Sequence, residues 1–364
     1  VTYLRAKRTA ALLAAGTCLL VASGCTSDAS DSGATPETVV PTEDTTGTAQ
    51  AGQPDTNGDG KVVIGVLSPG DIADGGYFQS FVDVADQVAA DEGWTVIKQG
   101  SVADTDARNA ALALCAQGVD MVALGASSLA DAVPASTDPA CADTAWFVPS
   151  AANIALTPQI MLSSNDPTTE NWAAGYAAGL VMKDAGDTQA AFVGGPSADY
   201  SQAAADAFAA GIKYVVPAAE VTSTFTGDND DTALAREATQ AAISAGASVV
   251  YPFLGGGADA ATELANDNDV LTISPGTDKC DGSSPTYDIS AIYSPSQFFL
   301  GALKEFAAGE LAMGEAKVWQ MGVDEFPTIK FCDGTDEQAT ALSDMLDQLG
   351  SGAVVPADEI AKLK

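Results

Sequence analysis

Asp74, Tyr77, Phe78 and Gln79 stand close together in "SPGDIADGGYFQSF", where an aliphatic run ends at a Pro-Gly turn and a helical pattern begins. A strand feeding a loop into a helix is where open α/β proteins hold ligands, beyond the carboxyl ends of their strands. The residue types suit holding a molecule rather than breaking a bond. One ring of the Tyr77–Phe78 pair can face a ligand while the other covers the core. A flat apolar face stacks on a heteroaromatic base for roughly 1 kcal/mol or more. Phe225, at the end of "VTSTF", is suitably placed to offer an opposing ring. Asp278, in "SPGTDK", follows another strand end, where a carboxylate can accept two hydroxyl hydrogen bonds from a sugar. Lys279 beside it is a candidate for the ligand or a partner for a surface acid. "FLGGGADAA" sets Gly255 and Gly256 between a strand and a helix, where bare backbone lets a ligand approach N–H groups. Asn165 and Asp166 have two open readings, a ligand contact or a cap on the next helix, and Trp172 in that helix reads as packing.

Other chemistries are limited by what is missing. The chain has no histidine, so histidine zinc sites, Ser-His-Asp triads and imidazole acid–base catalysis are excluded together. A carboxylate-pair hydrolase stays formally open, but no GxSxG nucleophile motif supports an enzyme. The glycine spacing is neither a Walker motif nor GxGxxG. No cofactor or metal is expected. "DTNGDG" imitates the start of a calcium loop, with Asp55, Asn57, Asp59 and Gly60 suitably spaced. The acid required at the twelfth position is Val66, inside a strand pattern, so calcium is not expected there.

Six cysteines are present. Cys18 lies in an apolar run and Cys25 follows "ASG"; Cys115, Cys141, Cys280 and Cys332 remain. An even remainder in an exported protein reads as two disulfides. Three connectivities are possible, and Cys115–Cys141 with Cys280–Cys332 keeps each pair local to one region.

The first 24 residues read as a lipoprotein signal peptide: Arg5, Lys7 and Arg8, then "TAALLAAGTCLLVA", then small residues before Cys25. That cleavage region resembles the bacterial lipobox, which implies lipidation of Cys25 and a place on the extracytoplasmic face of the cell membrane, of a Gram-positive type. Residues 25–60 read as a disordered acidic tether, rich in Ser, Thr, Asp, Gly and Pro and lacking Lys or Arg until Lys61. With 15 basic against 49 acidic residues the net charge is −34, which repels phosphate backbones and argues against nucleic-acid binding.

The remaining ~300 residues suffice for two lobes rather than one core. Apolar runs such as "KVVIGVL", "WTVIKQ", "DMVALG" and "AWFVPS" alternate with helical stretches near 77–92, 106–117 and 128–137. A second series follows, with helices near 199–213, 231–245 and 258–267. Strands alternating with helices predict parallel, doubly wound sheets. The expected fold class is therefore α/β, two Rossmann-like lobes joined by a three-stranded hinge. The expected boundaries are 61–165 plus about 286–314 for the N-terminal lobe, and 166–285 plus about 315–364 for the C-terminal lobe.

The order "IGVL…DGGYFQSF", "GYAAGLVM", "AAFVGG", "AFAAGIKYVVP", "STFTGDNDD", "FLGGGADAA" and "SPGTDK" resembles the basic-membrane-protein family across essentially all of residue 61 onward. That resemblance implies a type I periplasmic-binding fold and a lipid-anchored, monomeric substrate-binding component that works with an ABC permease and ATPase. Its best-known branch implies a purine nucleoside as the small-molecule ligand, the base between aromatics and the ribose on acids. In that branch the aromatic is followed by Asn and then an acid or amide. Here Phe78 is followed by Gln79 and Ser80, which weakens an acidic ribose clamp at this loop unless Asp74 replaces it. A ligand-sensing lipoprotein would share the same pocket chemistry.

Overall fold

The computed structural model describes residues 52–73, 77–149 and 154–363, and of Tyr77 the backbone alone. The signal and lipidation readings, Cys25 and most of the tether lie outside the described residues, as does Asp74.

Twelve strands form among the described residues: β1 (Val63–Leu67), β2 (Thr95–Gln99), β3 (Met121–Leu124), β4 (Ala145–Pro149), β5 (Ile160–Asn165), β6 (Gln189–Gly194), β7 (Glu220–Phe225), β8 (Val249–Phe253), β9 (Leu271–Gly276), β10 (Ile289–Ile292), β11 (Glu315–Trp319) and β12 (Thr328–Phe331). They make two six-stranded sheets, ordered β11-β5-β4-β3-β1-β2 and β12-β10-β9-β8-β6-β7. The central strands are buried on both faces, as expected for parallel strands covered by helices; β3 and residues 64–67 of β1 are wholly buried. In the first sheet Ile64 lies opposite both Val96 and Met121, and β11 pairs parallel to β5 with Trp319 opposite Asn165. In the second sheet β12 runs antiparallel to β10, with Ile289 opposite Phe331.

The helices are α1 (Tyr77–Glu92), α2 (Ala107–Cys115), α3 (Pro167–Ala185), α4 (Asp199–Val215), α5 (Thr232–Ser244), α6 (Ala258–Asn266), α7 (Pro295–Ala308), α8 (Asp336–Gly350) and α9 (Pro356–Ala361). The mixed α/β layering is that of the two-lobed type I periplasmic-binding fold. The chain passes between sheets three times: from β5 into α3, from β10 into α7, and from β11 towards β12.

The passage points correct the expected boundaries. Residues 289–292 belong to the second sheet, because β10 is parallel to β9, and residues 315–319 belong to the first, because β11 extends β5. Strand membership depends on pairing with residues more than a hundred positions away, which a local pattern does not encode. Residues 127–137 also differ from the helix expected near 128–137. They form 3₁₀ turns broken at Leu129 and containing Pro134, whose missing N–H and ring clash oppose an α-helix. Helix α9 has no counterpart in the expectation.

Both local disulfides form, Cys115–Cys141 and Cys280–Cys332, with Cα separations of 5.1 and 4.8 Å. Each lobe also carries a buried acid that clasps the neighbouring strand. Asp120 accepts from the Val63 N–H through Oδ2 at 2.8 Å and donates its own N–H to the Val63 carbonyl. Asp288 does the same to Thr272, again at 2.8 Å through Oδ2.

Helix packing differs between the lobes. In the first, α1 meets α7 through rings: Phe81 and Phe299 stack at 4.3 Å between centroids, with Phe147 5.0 Å from Phe299. In the second, α3 and α4 meet through bare backbone. A Cβ on Gly211 would sit 2.0 Å from the Trp172 carbonyl oxygen, and one on Gly175 2.1 Å from that of Phe208.

Candidate ligand site

The candidate residues stand at strand ends on both lobes. Phe78 and Gln79 open α1 in the first lobe, Asn165 closes β5 at the first passage, and Phe225 closes β7. Gly255 and Gly256 follow β8, and Asp278 and Lys279 follow β9. This is the edge of a doubly wound sheet where ligands bind.

The loop after β1 is shaped around Phe78. A Cβ on Gly70 would lie 2.3 Å from Cδ2 and Cε2 of Phe78, so only glycine lets the half-buried ring rest there. Ser68 fixes this turn: its hydroxyl donates to the Gly70 carbonyl at 3.1 Å and accepts from the Gly70 N–H at 3.2 Å. Gln79 is half-buried beside it.

Phe225 is half-buried and packs on the second-lobe core. Its ring lies 6.3 Å from that of Phe192, and a Cβ on Gly194 would meet its Cδ1 at 3.0 Å.

The glycine turn has partners within the protein. Gly256 N–H donates to Asp230 Oδ1 at 2.6 Å, and the N–H groups of Gly255 and Gly257 donate to the Asn229 carbonyl at 3.1 and 3.0 Å. A Cβ on Gly255 would come within 2.5 Å of that Asp230 oxygen. The acid-rich loop "TGDNDD" therefore occupies the amides that sequence reasoning assigned to a ligand. The glycines serve close approach, but the approaching group is Asp230.

Asp278 is half-exposed. Its Oδ1 accepts from the Cys280 N–H at 2.9 Å and its Oδ2 from Lys330 Nζ at 2.9 Å. Partial burial raises its pKa, but the Cys280 amide and Lys330 outweigh that and hold the carboxyl below the usual range. It is thus an anion at neutral pH with lone pairs left on both oxygens. Lys279 N–H donates to Ser290 Oγ at 2.9 Å. The lysine that pairs with Asp278 is Lys330, on β12.

At the first passage Asp166 caps α3, accepting from the Thr168 N–H at 3.0 Å. Asn165 has another role: its Nδ2 donates to both carboxyl oxygens of Glu170, at 2.8 and 3.0 Å. Glu170 is fully buried. Burial pushes its pKa up to about 8, against the Asn165 hydrogen bonds and with help from the charge of Asp166. The Tyr251 and Tyr293 hydroxyls hydrogen-bond each other at 2.7 Å, and Glu170's charge contributes to raising both phenols, after burial as the main cause. Tyr293 directly follows β10, so a polar cluster links the first and second passages. Sequence reasoning missed it. Glu170 in "TENWAAGYAAGLVM" reads as an ordinary acid in a helix's first turn, and its tyrosine neighbours lie far away in sequence. Beside the first and third passages Asp166, Thr169, Val318, Trp319, Gln320 and Met321 line a cavity of about 250 Å³.

A family described as ABC transporter substrate-binding protein PnrA-like (Bmp) matches residues 61–327. The chain belongs to that family. Its members bind small-molecule ligands and work with a permease and an ATPase. No curated protein matches the chain. Among solved structures, an ABC transporter solute-binding protein from Conexibacter woesei DSM 14684 is 20% identical, with a TM-score of 0.67 over 81% of this chain and 98% of that one. A transcriptional activator of the comK gene from Bacillus halodurans is 16% identical, with a TM-score of 0.64 over 79% and 96%. An ABC transporter solute-binding protein from Aeropyrum pernix K1 is 17% identical, with a TM-score of 0.56 over 82% and 84%. At these identities the likeness is one of fold.

Proposed function

We propose that this substrate-binding protein is a monomeric lipoprotein, anchored through Cys25 on the extracytoplasmic face of the cell membrane, that delivers a purine nucleoside to an ABC importer and performs no chemistry on it. The family match over residues 61–327 carries the transport reading. The nucleoside reading is supported by an aromatic on each lobe, Phe78 and Phe225, and by the ionised carboxylate of Asp278 at a strand end. Stacking and hydroxyl acceptance are the two interactions that a base and a ribose require. The residue set lacks a histidine, which fits binding without turnover.

Thermal unfolding of the full chain against nucleosides, free bases, sugars and amino acids tests this, because a ligand of the folded state raises the midpoint by mass action. A shift confined to nucleosides is expected. Phe78→Ala is expected to weaken that binding by more than about tenfold, ~1.4 kcal/mol, while leaving the unliganded midpoint near its original value. A shift with another ligand class alone would discard the nucleoside and keep the receptor. Unchanged affinity in Phe78→Ala would remove that ring from the site.

A further inference from the structure

The loop Asp55-Thr56-Asn57-Gly58-Asp59-Gly60-Lys61 precedes β1 and takes no part in the solute site. It is a wound turn. Gly60 N–H donates to Asp55 Oδ1 at 3.0 Å, Asp59 N–H to Asn57 Oδ1 at 3.0 Å, and Lys61 N–H to Asp59 Oδ1 at 2.9 Å. Gly60 has φ +78°, the left-handed conformation that a sixth-position glycine supplies in a calcium loop. Asn57 Nδ2 fastens the turn to the Gly118 carbonyl at 2.9 Å, and Thr56 Oγ1 donates to the Asp143 carbonyl. These bonds alone describe a turn and do not point to a ligand.

Asp120 supplies the independent observation. Its side chain is fully buried at the start of β3. Oδ2 accepts from Val63 N–H, but the buried Oδ1 has no hydrogen-bond partner. A buried carboxylate oxygen without a partner is costly and calls for an explanation. Burial raises the Asp120 pKa most, the Val63 amide lowers it, and the charges of Asp55 and Asp59 raise it further, tempered by the Thr56 amide. The acid is therefore electrically coupled to both carboxylates of the loop.

We propose that Asp55, Asn57, Asp59, the Lys61 carbonyl and Asp120 form a site for a hard divalent cation of the calcium class. The loop gives oxygens at its first, third, fifth and seventh positions, and Asp120 gives from β3 the carboxylate that Val66 cannot give at the twelfth. All donors are oxygens and three are acids, which suits calcium over softer metals and over magnesium, which keeps several waters. No three acids among the described residues already meet around one point. Mutually repelling carboxylates converge when a cation offsets their charge. The site lies at the amino-terminal edge of the first sheet, where bound calcium would clamp the segment preceding β1 onto the lobe.

The test is thermal unfolding and calorimetric titration of the full chain, stripped with EDTA and returned to CaCl₂ at about 1 mM, the range of extracellular calcium modules. MgCl₂ and NaCl of matched ionic strength are the comparisons. Calcium is expected to raise the midpoint by several degrees and magnesium by less. Asp59→Asn is expected to abolish the calcium-dependent part. Asp120→Asn keeps an acceptor for Val63 N–H and is expected to weaken calcium binding roughly tenfold or more through the lost ligand charge. Because each variant is compared with itself in EDTA, any loss of basal stability cancels. Absence of a calcium-dependent shift and of binding heat would overturn the site. So would equal shifts in the parent and both variants, the signature of general screening on an acidic chain. Calcium affinity unchanged in Asp120→Asn alone would overturn the role of Asp120.

Discussion

The first lobe keeps α1 and α7 apart with phenylalanine rings, whereas the second brings α3 and α4 together on glycines. Phe81, Phe298, Phe299 and Phe306 fill the α1–α7 side of the first sheet, with Trp94 edge-on to Phe306 at 5.7 Å. In the α3–α4 pair Gly175, Gly179 and Gly211 face carbonyls or side chains of the other helix. Two sheets of the same strand count thus reach close packing by opposite means. The lesson is in the failure modes: an aromatic layer fails when atoms are removed, and a backbone contact fails when atoms are added.

Gly211→Val tests the second half of that contrast and has the largest expected effect. Its Cβ would overlap a carbonyl oxygen that belongs to a helix and cannot rotate away. The cost is expected to exceed about 5 kcal/mol, comparable to the whole stability of many domains, leaving little folded protein by circular dichroism. A stable Gly211→Val chain would mean that the helices do not touch through backbone. Phe299→Ala tests the first half. It removes the ring that stacks on Phe81 and neighbours Phe147, for an expected loss of about 3–5 kcal/mol in urea unfolding. A loss below about 1 kcal/mol would show that the aromatic layer collapses on itself and is no spacer.

The helix starts sharpen the comparison further. α1 has no acid in its first turn, whereas α3 carries Glu170 in a buried one. Glu170's folded pKa, about 8, lies above its ordinary 4.5. Between those values the folded chain holds a proton that the unfolded chain has released, so stability falls as pH rises through that window and levels off above it. Glu170→Gln removes this titration. The expected difference between parent and variant is on the order of a few kcal/mol at most across the window, read by urea unfolding near pH 5 and pH 8.5. Parallel pH profiles would show that Glu170 does not carry the slope. Asp120 and Asp288, also raised chiefly by burial, contribute in the same direction in both chains.

The alternation of apolar runs with Ala-rich helical segments made the two lobes and their parallel sheets legible in the sequence, because it follows from strand and helix periods alone. The disulfides were legible from locality. Which sheet takes β10 and β11 was not, since that is settled by pairing with β9 and β5 across long loops of chain. The candidate site was legible as a set of strand ends. Phe78 does rest on the Gly70 turn, but Gly255 and Gly256 attracted attention for a property that Asp230 already uses. Asn165 was open between ligand and cap, and its partner is Glu170, a contact made by burial that no spacing announces.

The parallel pairing of β11 with β5 has a consequence for how the chain is born. A ribosome releases residues 160–165 long before residues 315–319, and every strand from β6 to β10 is made in between. Until then β5, with Ile160 and Met161 destined for the interior, is an unpaired sheet edge, the kind of surface on which nascent chains associate. The first lobe to be synthesised is therefore completed only after most of the second is available. A holdase that shields that edge would protect the whole molecule, and a truncation before residue 315 would leave the first lobe, rather than the second, without its closing strand.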